Sequence, residues 1–553
     1  LLHQLERQWL TSLDDYLSKE EGLQFMSETA LLKKIQEDGD AEEALMTIPR
    51  VKISELNQTQ YVPQFHIVED LFESGITTIM HELSFTDGIA YVDLSLDISN
   101  MDFDDVVLIP LFCQLLLEGG TETHDDVEMQ QQIDTYTGGI TITPLIEEIV
   151  ETDSENFYIV PDGKHFVTKI IISGACIASD TCLPMFNLFR RVIWDSNVQN
   201  KEKAIKILEA RIDEMEQDIQ TNGHKYTTSH VESRYGLSGF VREQWYGVTQ
   251  LMQMRRALAQ IKDNFTDLSL RLVNMHNALK RGHRSGMYLS ASGDEKTLHD
   301  LKGSLRTFLQ SILPLATQRS PFPNFAEREH PWVPKGMLRV EEEFAAETRN
   351  QAFTVPTRVN HVAKGGVLYD VGERIPGADV VITQYLGGHY LYNELRFNRG
   401  AQEAWAVLDI DSGVCIYQSD RDPSIFSTLE TYERGATWLW EQVHDGELPV
   451  EAKGAIVGAI GRLDANIKTE PNRVGINSLV SQLKQDSPSY KQHWRDQILA
   501  STANNFMAMV ERLGSWGHPS ISIVTSPEIF DTIDQEDFPI TRCDYSGYQC
   551  QKP

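Results

Sequence analysis

Long apolar runs are missing from this chain of 553 residues. The longest, 106–117, is interrupted by Pro110 and Gln114. It falls short of the roughly 20 residues that cross a bilayer, so no membrane span is expected. Basic residues are scarce as well: 49 Lys and Arg stand against 81 Asp and Glu, a formal net charge of −32. That balance argues against nucleic acid or an anionic membrane as a partner. It suits a surface that attracts cationic peptides, and equally one that serves solubility alone. Cysteines number six: Cys113, Cys176, Cys182, Cys415, Cys543 and Cys550. Cys176 and Cys182 are too far apart for a Cys-x-x-Cys motif, so all six are expected as buried free thiols in a reducing compartment.

Catalytic motifs are missing too. There is no Gly-x-Ser-x-Gly elbow and no P-loop. The pairs Gly365-Gly366 and Gly387-Gly388 stand alone and read as turns. The run Asp102-Phe103-Asp104-Asp105 lacks the order of an EF-hand loop and reads as a helix cap. A peptidase zinc site of the His-x-x-Glu-His type needs two histidines on one helical face and a glutamate as general base. None of the sixteen histidines fits. His81-Glu82, Glu329-His330 and His389 with Glu394 have the wrong spacing, and His224 and His230 lie off one helical face. Each is expected as an ordinary surface or core histidine, and no metal ligand is assigned.

What is present is a sequence of mixed elements. Residues 1–46 read as exposed helices, with Leu1, Leu5, Trp9 and Leu13 at helical spacing, a second helix near 20–37 and a turn at 38–40. Pro49 then breaks the helix. The first residue is leucine and helix begins at once, so the numbering is expected to start inside a larger protein. Ala90, Val92, Leu94, Leu96 and Ile98 alternate with Tyr91, Asp93, Ser95 and Asp97, the pattern of a half-buried strand. Residues 77–83 read as its hairpin partner across Asp87-Gly88. A helix over 104–118 follows. Next comes a bend at Gly138-Gly139 that delivers the strand Ile140-Thr141-Ile142-Thr143. Further strands are expected at 165–173 and 285–292, with helices near 183–194, 201–220, 248–278 and 296–313. A proline-rich stretch, 314–334, marks a boundary. After it, strands fit 351–362, 404–417 and 520–525, and helices fit 382–395, 423–443, 451–467 and 490–513. Two successive mixed units point to duplicated α+β domains.

Several stretches together carry a family likeness: the apolar run and glycine bend, 109–144; TIPRVKISEL, 47–56; GHKYTTSHVESRYGLSGFVREQWYGV, 223–248; VPTRVNHVAKGG, 355–366; GGHYLYNELRFNRGAQEAW, 387–405; and SDRDPSIFSTLETYE, 419–433. In order and spacing they resemble the C-terminal half of presequence proteases and falcilysin, zinc peptidases of the pitrilysin superfamily. The resemblance spans nearly the whole chain. It implies part of a helical hairpin linker at 1–46, a third pitrilysin-type α+β domain at 47–330 and a fourth at 331–553. It implies a zinc cofactor bound by an N-terminal half, on the same polypeptide or a separate subunit, which is also this chain's partner. The implied activity is degradation of unfolded, cationic peptides, such as targeting peptides, in a closed chamber within a mitochondrial or plastid-type organelle.

The resemblance also carries two residues. Members have a helix ending in arginine, then a glycine-containing turn and a tyrosine; both side chains hold the substrate backbone and stabilise the oxyanion. Arg396 matches the arginine, in Leu391-Tyr392-Asn393-Glu394-Leu395-Arg396. The tyrosine position falls on Gln402, and Arg399 replaces one of the paired glycines. A glutamine amide still donates a hydrogen bond. Read without the resemblance, Arg396 is a cation balancing a helix dipole. Two other readings stand beside the peptidase: an inactive scaffold subunit of the same superfamily, and a peptide-binding module.

Overall fold

The structure, a computed structural model, describes residues 19–553 apart from 38–40, 46, 49–50, 63, 69–70, 85, 282–285, 314–328, 344–348, 469–470, 534–539, 545–548 and 552–553. The first expected helix, the turn at 38–40, the Pro49 break and most of the proline-rich boundary lie outside the described residues. Residues Leu1–Leu56 form one compact unit and Asn57–Pro553 another. The first contains the helix Lys19–Glu37, whose Leu23, Phe25, Met26, Leu31, Leu32 and Ile35 are exposed, as the sequence leads one to expect.

The second unit holds two sheets. The strands of the first are β1 (Phe65–Val68), β2 (Thr77–Glu82), β3 (Ile89–Asp97), β4 (Ile140–Glu148), β5 (Phe166–Ile177) and β6 (Tyr288–Gly293). Those of the second are β7 (Gln351–Thr354), β8 (Asn360–Val367), β9 (Glu403–Asp409), β10 (Val414–Asp422), β11 (Gly517–Thr525), β12 (Thr541–Asp544) and β13 (Gln549–Gln551). The orders are β1-β2-β6-β3-β5-β4 and β13-β12-β7-β11-β8-β10-β9. The runs β2-β6-β3-β5-β4 and β7-β11-β8-β10-β9 are the same topology. In each, the last strand of the run inserts between the first two, parallel to one and antiparallel to the other. The fold is α+β and internally duplicated.

That insertion corrects one expectation. β2 and β3 are not a hairpin; β6 lies between them and pairs with both. The bend at Asp87 (φ 48°) and Gly88 (φ 83°) does exist. Its Gly88 N–H donates to Asp294 Oδ2 at 3.2 Å, just beyond β6. Local turn chemistry thus reports a bend without saying which strand it serves.

The glycine bend before β4 is as read. Gly139 takes φ 104°, and the Gly138 N–H donates to the Ala175 carbonyl of β5 at 2.8 Å. The polar stretch ahead of it is a helix, Asp126–Tyr136, closed by an Asp125/Glu128 capping box. Buried Leu94, Leu96, Phe112, Leu115, Phe186 and Phe189 belong to the core beside this sheet. Each fully buried side chain of this size contributes about 1.5–3 kcal/mol.

The opposite face of β3 was expected to meet solvent. Instead Asp93 and Ser95 are buried, because the helix Pro471–Leu483, from the far half of the chain, packs on β2, β3 and β6. The reverse also holds: the helix Gly223–Glu232, from the first half, packs on β8, β10 and β11. Each half lends a helix to the other's sheet. A pattern in one strand cannot reveal a cover that comes from hundreds of residues away.

Cysteine is a further correction. Cys176 at the end of β5 and Cys182 at the start of the helix Cys182–Trp194 form a disulfide, their Cα atoms 5.1 Å apart. The strand-to-helix turn closes a gap that spacing alone made look too wide. Cys543 is also disulfide-bonded. Cys113 and Cys415 are free and buried, as expected.

Candidate functional site

The segment 387–405 begins inside a helix and not in a turn. The α-helix Ala378–Tyr385 continues as a π-helix, Leu386–Phe397. Widened turns of this kind are rare and concentrate at functional sites. The Gly387-Gly388 pair serves close packing within it. A Cβ on Gly387 would lie 2.9 Å from Ala406 N and 3.3 Å from Trp405 Cα, so glycine lets the helix reach β9. Gly365-Gly366 is likewise no turn; it lies inside β8, where a Cβ on Gly365 would come 2.6 Å from Val231.

Arg396 sits in the last turn of the π-helix and is exposed. Gly400, at φ 85°, ends the helix. The Gly400 and Ala401 N–H groups return to the Arg396 and Leu395 carbonyls at 3.1 and 2.9 Å. The Arg396 guanidinium lies over the Tyr392 ring, 5.1 Å from its centroid, and its Nη1 donates to the Gln402 carbonyl. The structure therefore brings Arg396 and Gln402 together, but through the Gln402 backbone and not its amide. The Gln402 side chain is exposed, while its N–H donates to the Asp420 carbonyl at 2.9 Å. Arg399, at the replaced glycine, donates to the Ser427 carbonyl at 2.6 Å and ties the turn to the next helix.

Beside this turn is a cavity of about 580 Å³, lined by Gln384, His389, Tyr392, Glu403, Trp405 and Arg462 among others. Its size is that of a small-ligand or side-chain pocket. Burial holds His389 below the usual imidazole range. Tyr392 belongs both to the cavity lining and to the Arg396 stack, so the arginine stands at the cavity's edge. The sequence reading gave no role to Glu403 and Trp405, though they lie in the 387–405 stretch, and passed over Gln384 and Arg462. They come from the helix Ala378–Tyr385, the strand β9 that packs on the π-helix, and the helix Val450–Lys468 that packs on Ala378–Tyr385.

The catalytic zinc of the pitrilysin superfamily does not fit these residues. Among the described residues, no helix carries two histidines four apart. His230 is buried and engages Gln351 Oε1 at 2.8 Å, while His389 lies against Tyr385.

Comparison with known proteins agrees with this picture. The profile of the associated domain of peptidase family M16, subfamily C, matches residues 2–256, and that of the "PreP C-terminal domain" matches 350–526. The chain is 26% identical over 533 residues to presequence protease 1, chloroplastic/mitochondrial, of Arabidopsis thaliana, covering 96% of this chain and 45% of that protein. It is 23% identical to the mitochondrial presequence protease of Xenopus tropicalis, covering 90% and 46%. The chain thus spans less than half the length of these relatives. Among solved structures, a peptidase M16 inactive domain from Pseudomonas fluorescens aligns with a TM-score of 0.52 at 12% identity, over 84% of this chain and 98% of that one. The periplasmic protease PqqL of Escherichia coli aligns with a TM-score of 0.52 at 14% identity, over 85% and 48%. Two family matches in tandem and a duplicated fold lead to one assignment: the chain belongs to the pitrilysin superfamily, as a presequence-protease-like C-terminal half.

Proposed function

We propose that this chain is the half of a zinc metalloendopeptidase that shapes the chamber and holds the substrate, while an N-terminal half, on the same polypeptide or a separate subunit, holds the zinc. The observation that carries this reading is the tandem of family matches at 2–256 and 350–526 in a sequence with no His-x-x-Glu-His. The domain division belongs to the proposal: a linker at 1–46 and two pitrilysin-type domains at 47–330 and 331–553.

In this reading Arg396 is an oxyanion and substrate-backbone donor. Its exposed guanidinium is held by Tyr392 and the Gln402 carbonyl, so it is oriented before substrate arrives. A fixed donor aimed at a developing negative oxygen is worth about 10²–10³ in rate. Gln402 occupies the tyrosine position and offers an amide donor there. The net charge of −32 favours unfolded, cationic peptides such as targeting peptides. Peptide cleavage indifferent to salt and to peptide charge would sink that preference. Among the described residues, no helix is long and apolar enough to cross a membrane.

The names of the relatives support a mitochondrial or plastid-type location. The Cys176–Cys182 disulfide favours an oxidising compartment instead, because such bonds persist where thiols are not kept reduced. Fractionation with thiol labelling of the native protein separates the two.

The test of function is co-expression with a zinc-bearing half and an assay of peptide hydrolysis, with and without Arg396→Ala. Activity that needs both halves and falls about 10²-fold in the variant supports the proposal. Absence of activity with any partner half supports the second reading, an inactive scaffold, which Gln402 in place of tyrosine favours. Peptide affinity shown by this chain alone is what a binding module requires.

A further inference from the structure

Three side chains remote in sequence converge where the helix Gly223–Glu232 meets the second sheet. His224 opens that helix, His361 stands on β8 and Asp420 on β10. Asp420 Oδ1 lies 2.9 Å from His224 Nδ1 and 2.8 Å from His361 Nδ1. One candidate ligand atom from each residue lies within 4.8 Å of the others. The His361 side chain is fully buried, Asp420 is 8% exposed and His224 17%.

Several features show that the convergence is built. The pairing of β10 with β8 slips between Ser419 and Asp422, and Arg421 within that bulge takes φ 47°. Bulges re-aim side chains, and a left-handed non-glycine residue is costly. Here the bulge falls at Asp420, whose carboxylate is the one shared by both rings. Gly223 supplies the space, since a Cβ there would come 2.4 Å from His361 Cδ2. His361 Nδ1 approaches the same carboxylate oxygen as His224 Nδ1, at 2.8 Å. The same ring faces the backbone carbonyl of Gln220, the kind of outer partner that fixes the tautomer of a metal-bound imidazole. Two imidazole nitrogens around one carboxylate oxygen, mostly shielded from water, form a donor set suited to a divalent transition metal.

We propose that His224, His361 and Asp420 bind a divalent transition metal, zinc foremost, that pins the helix of the first half to the sheet of the second. Ligand atoms of a tetrahedral zinc lie about 3.3 Å apart for bonds of about 2.0–2.1 Å. The two nitrogen–oxygen edges therefore open by about half an ångström on binding. His224, the most exposed of the three, marks the side from which water fills the fourth position. Its ring lies 5.3 Å from that of Trp405, a residue of the π-helix cavity, so the pinned helix also buttresses that wall. This inference does not depend on the peptidase reading.

The test uses the full chain, stripped with chelator and titrated with Co²⁺ as a spectroscopic substitute for Zn²⁺. The expected result is one equivalent of cobalt with the visible d–d absorption of a four-coordinate site, displaced by zinc. Asp420→Asn should lose at least tenfold in affinity and lose that absorption. His224→Ala, at the more exposed corner, should do the same with its far-ultraviolet circular dichroism unchanged, which separates lost ligation from lost folding. His165→Ala, in the more exposed Glu151, Asp162 and His165 group, should leave the absorption unchanged. Wild type without stoichiometric cobalt, or a spectrum that survives both ligand variants, overturns the proposal and leaves a metal-free His–Asp–His contact.

Discussion

The Pro471–Leu483 helix rests on Asp93, Ser290 and Ser292 of the first sheet, whereas the Gly223–Glu232 helix rests on His361 and Asp420 of the second. In both places a glycine makes the approach possible. A Cβ on Gly475 would come 2.7 Å from Ser292 Oγ and 3.0 Å from Asp93 Oδ2; one on Gly223 would come 2.4 Å from the His361 ring. The polar content differs. At the first contact a lone carboxylate is surrounded by hydroxyls: Ser173 Oγ donates to Asp93 Oδ1 at 2.6 Å, and Ser290 Oγ donates to the Gly475 carbonyl at 3.2 Å. At the second, a carboxylate is shared by two imidazoles. The same exchange of helices has been closed by a neutral polar layer on one side and by a ligand-like cluster on the other. Duplication preserved the topology but not the chemistry between the halves.

The largest effect is expected at Asp93. Burial pushes its carboxyl up to about 7, against an ordinary 3.8, with the Ser173 hydrogen bond opposing. Between these values the folded state holds a proton that the unfolded chain has released. Stability from this group is therefore complete below pH about 4, falls as pH rises towards 7 and stays low above it. Asp93→Asn should remove that slope and stabilise the protein at pH 8 by up to about 4 kcal/mol. Urea denaturation from pH 4 to 8 measures it, and parallel curves for the two proteins would contradict a buried, protonated Asp93.

Next come the two glycines. Gly223→Ala drives a methyl into a fully buried ring and should cost about 2–3 kcal/mol. Gly475→Ala meets the ends of serine and aspartate side chains and should cost about 1 kcal/mol or less, part of it offset by alanine's better helix propensity. Equal melting shifts would mean that the two contacts are equally tight.

Reduction of Cys176–Cys182 opens a short loop in the first sheet and should lower stability by about 2 kcal/mol. The corresponding strand of the second sheet carries the free Cys415. Thiol-dependent melting should therefore be abolished when Cys176 and Cys182 are both replaced by alanine in a background lacking Cys543 and Cys550. The smallest stability effect belongs to Arg396→Ala, within about 0.5 kcal/mol because the side chain is exposed. A large loss of stability there would make Arg396 a structural residue instead of a substrate contact.

Much of the fold was legible in the chain. Threonine and isoleucine alternation marks β4, and the Gly139 bend marks its start, because positive φ and β-branched side chains are local requirements. The Leu94–Phe112 core side could be read from period alone. The strand between β2 and β3, the cover over Asp93 and the Cys176–Cys182 bridge could not, since each depends on where a distant segment lands. The site shows the same division. Arg396 was singled out by family resemblance, its helix end alone reading as a cation on a dipole, while Trp405 and Arg462 join the cavity from a strand and a distant helix. His224 was set aside because its spacing to His230 fits no ligand pair; its partners, His361 and Asp420, sit on two strands of the other half.

The most direct test of the account is peptide hydrolysis by a zinc-bearing N-terminal half, measured alone, with this chain and with its Arg396→Ala variant. Hydrolysis that appears only with both halves and falls about 10²-fold in the variant is what the account predicts. Full hydrolysis by the zinc-bearing half alone, or by this chain alone, would contradict it.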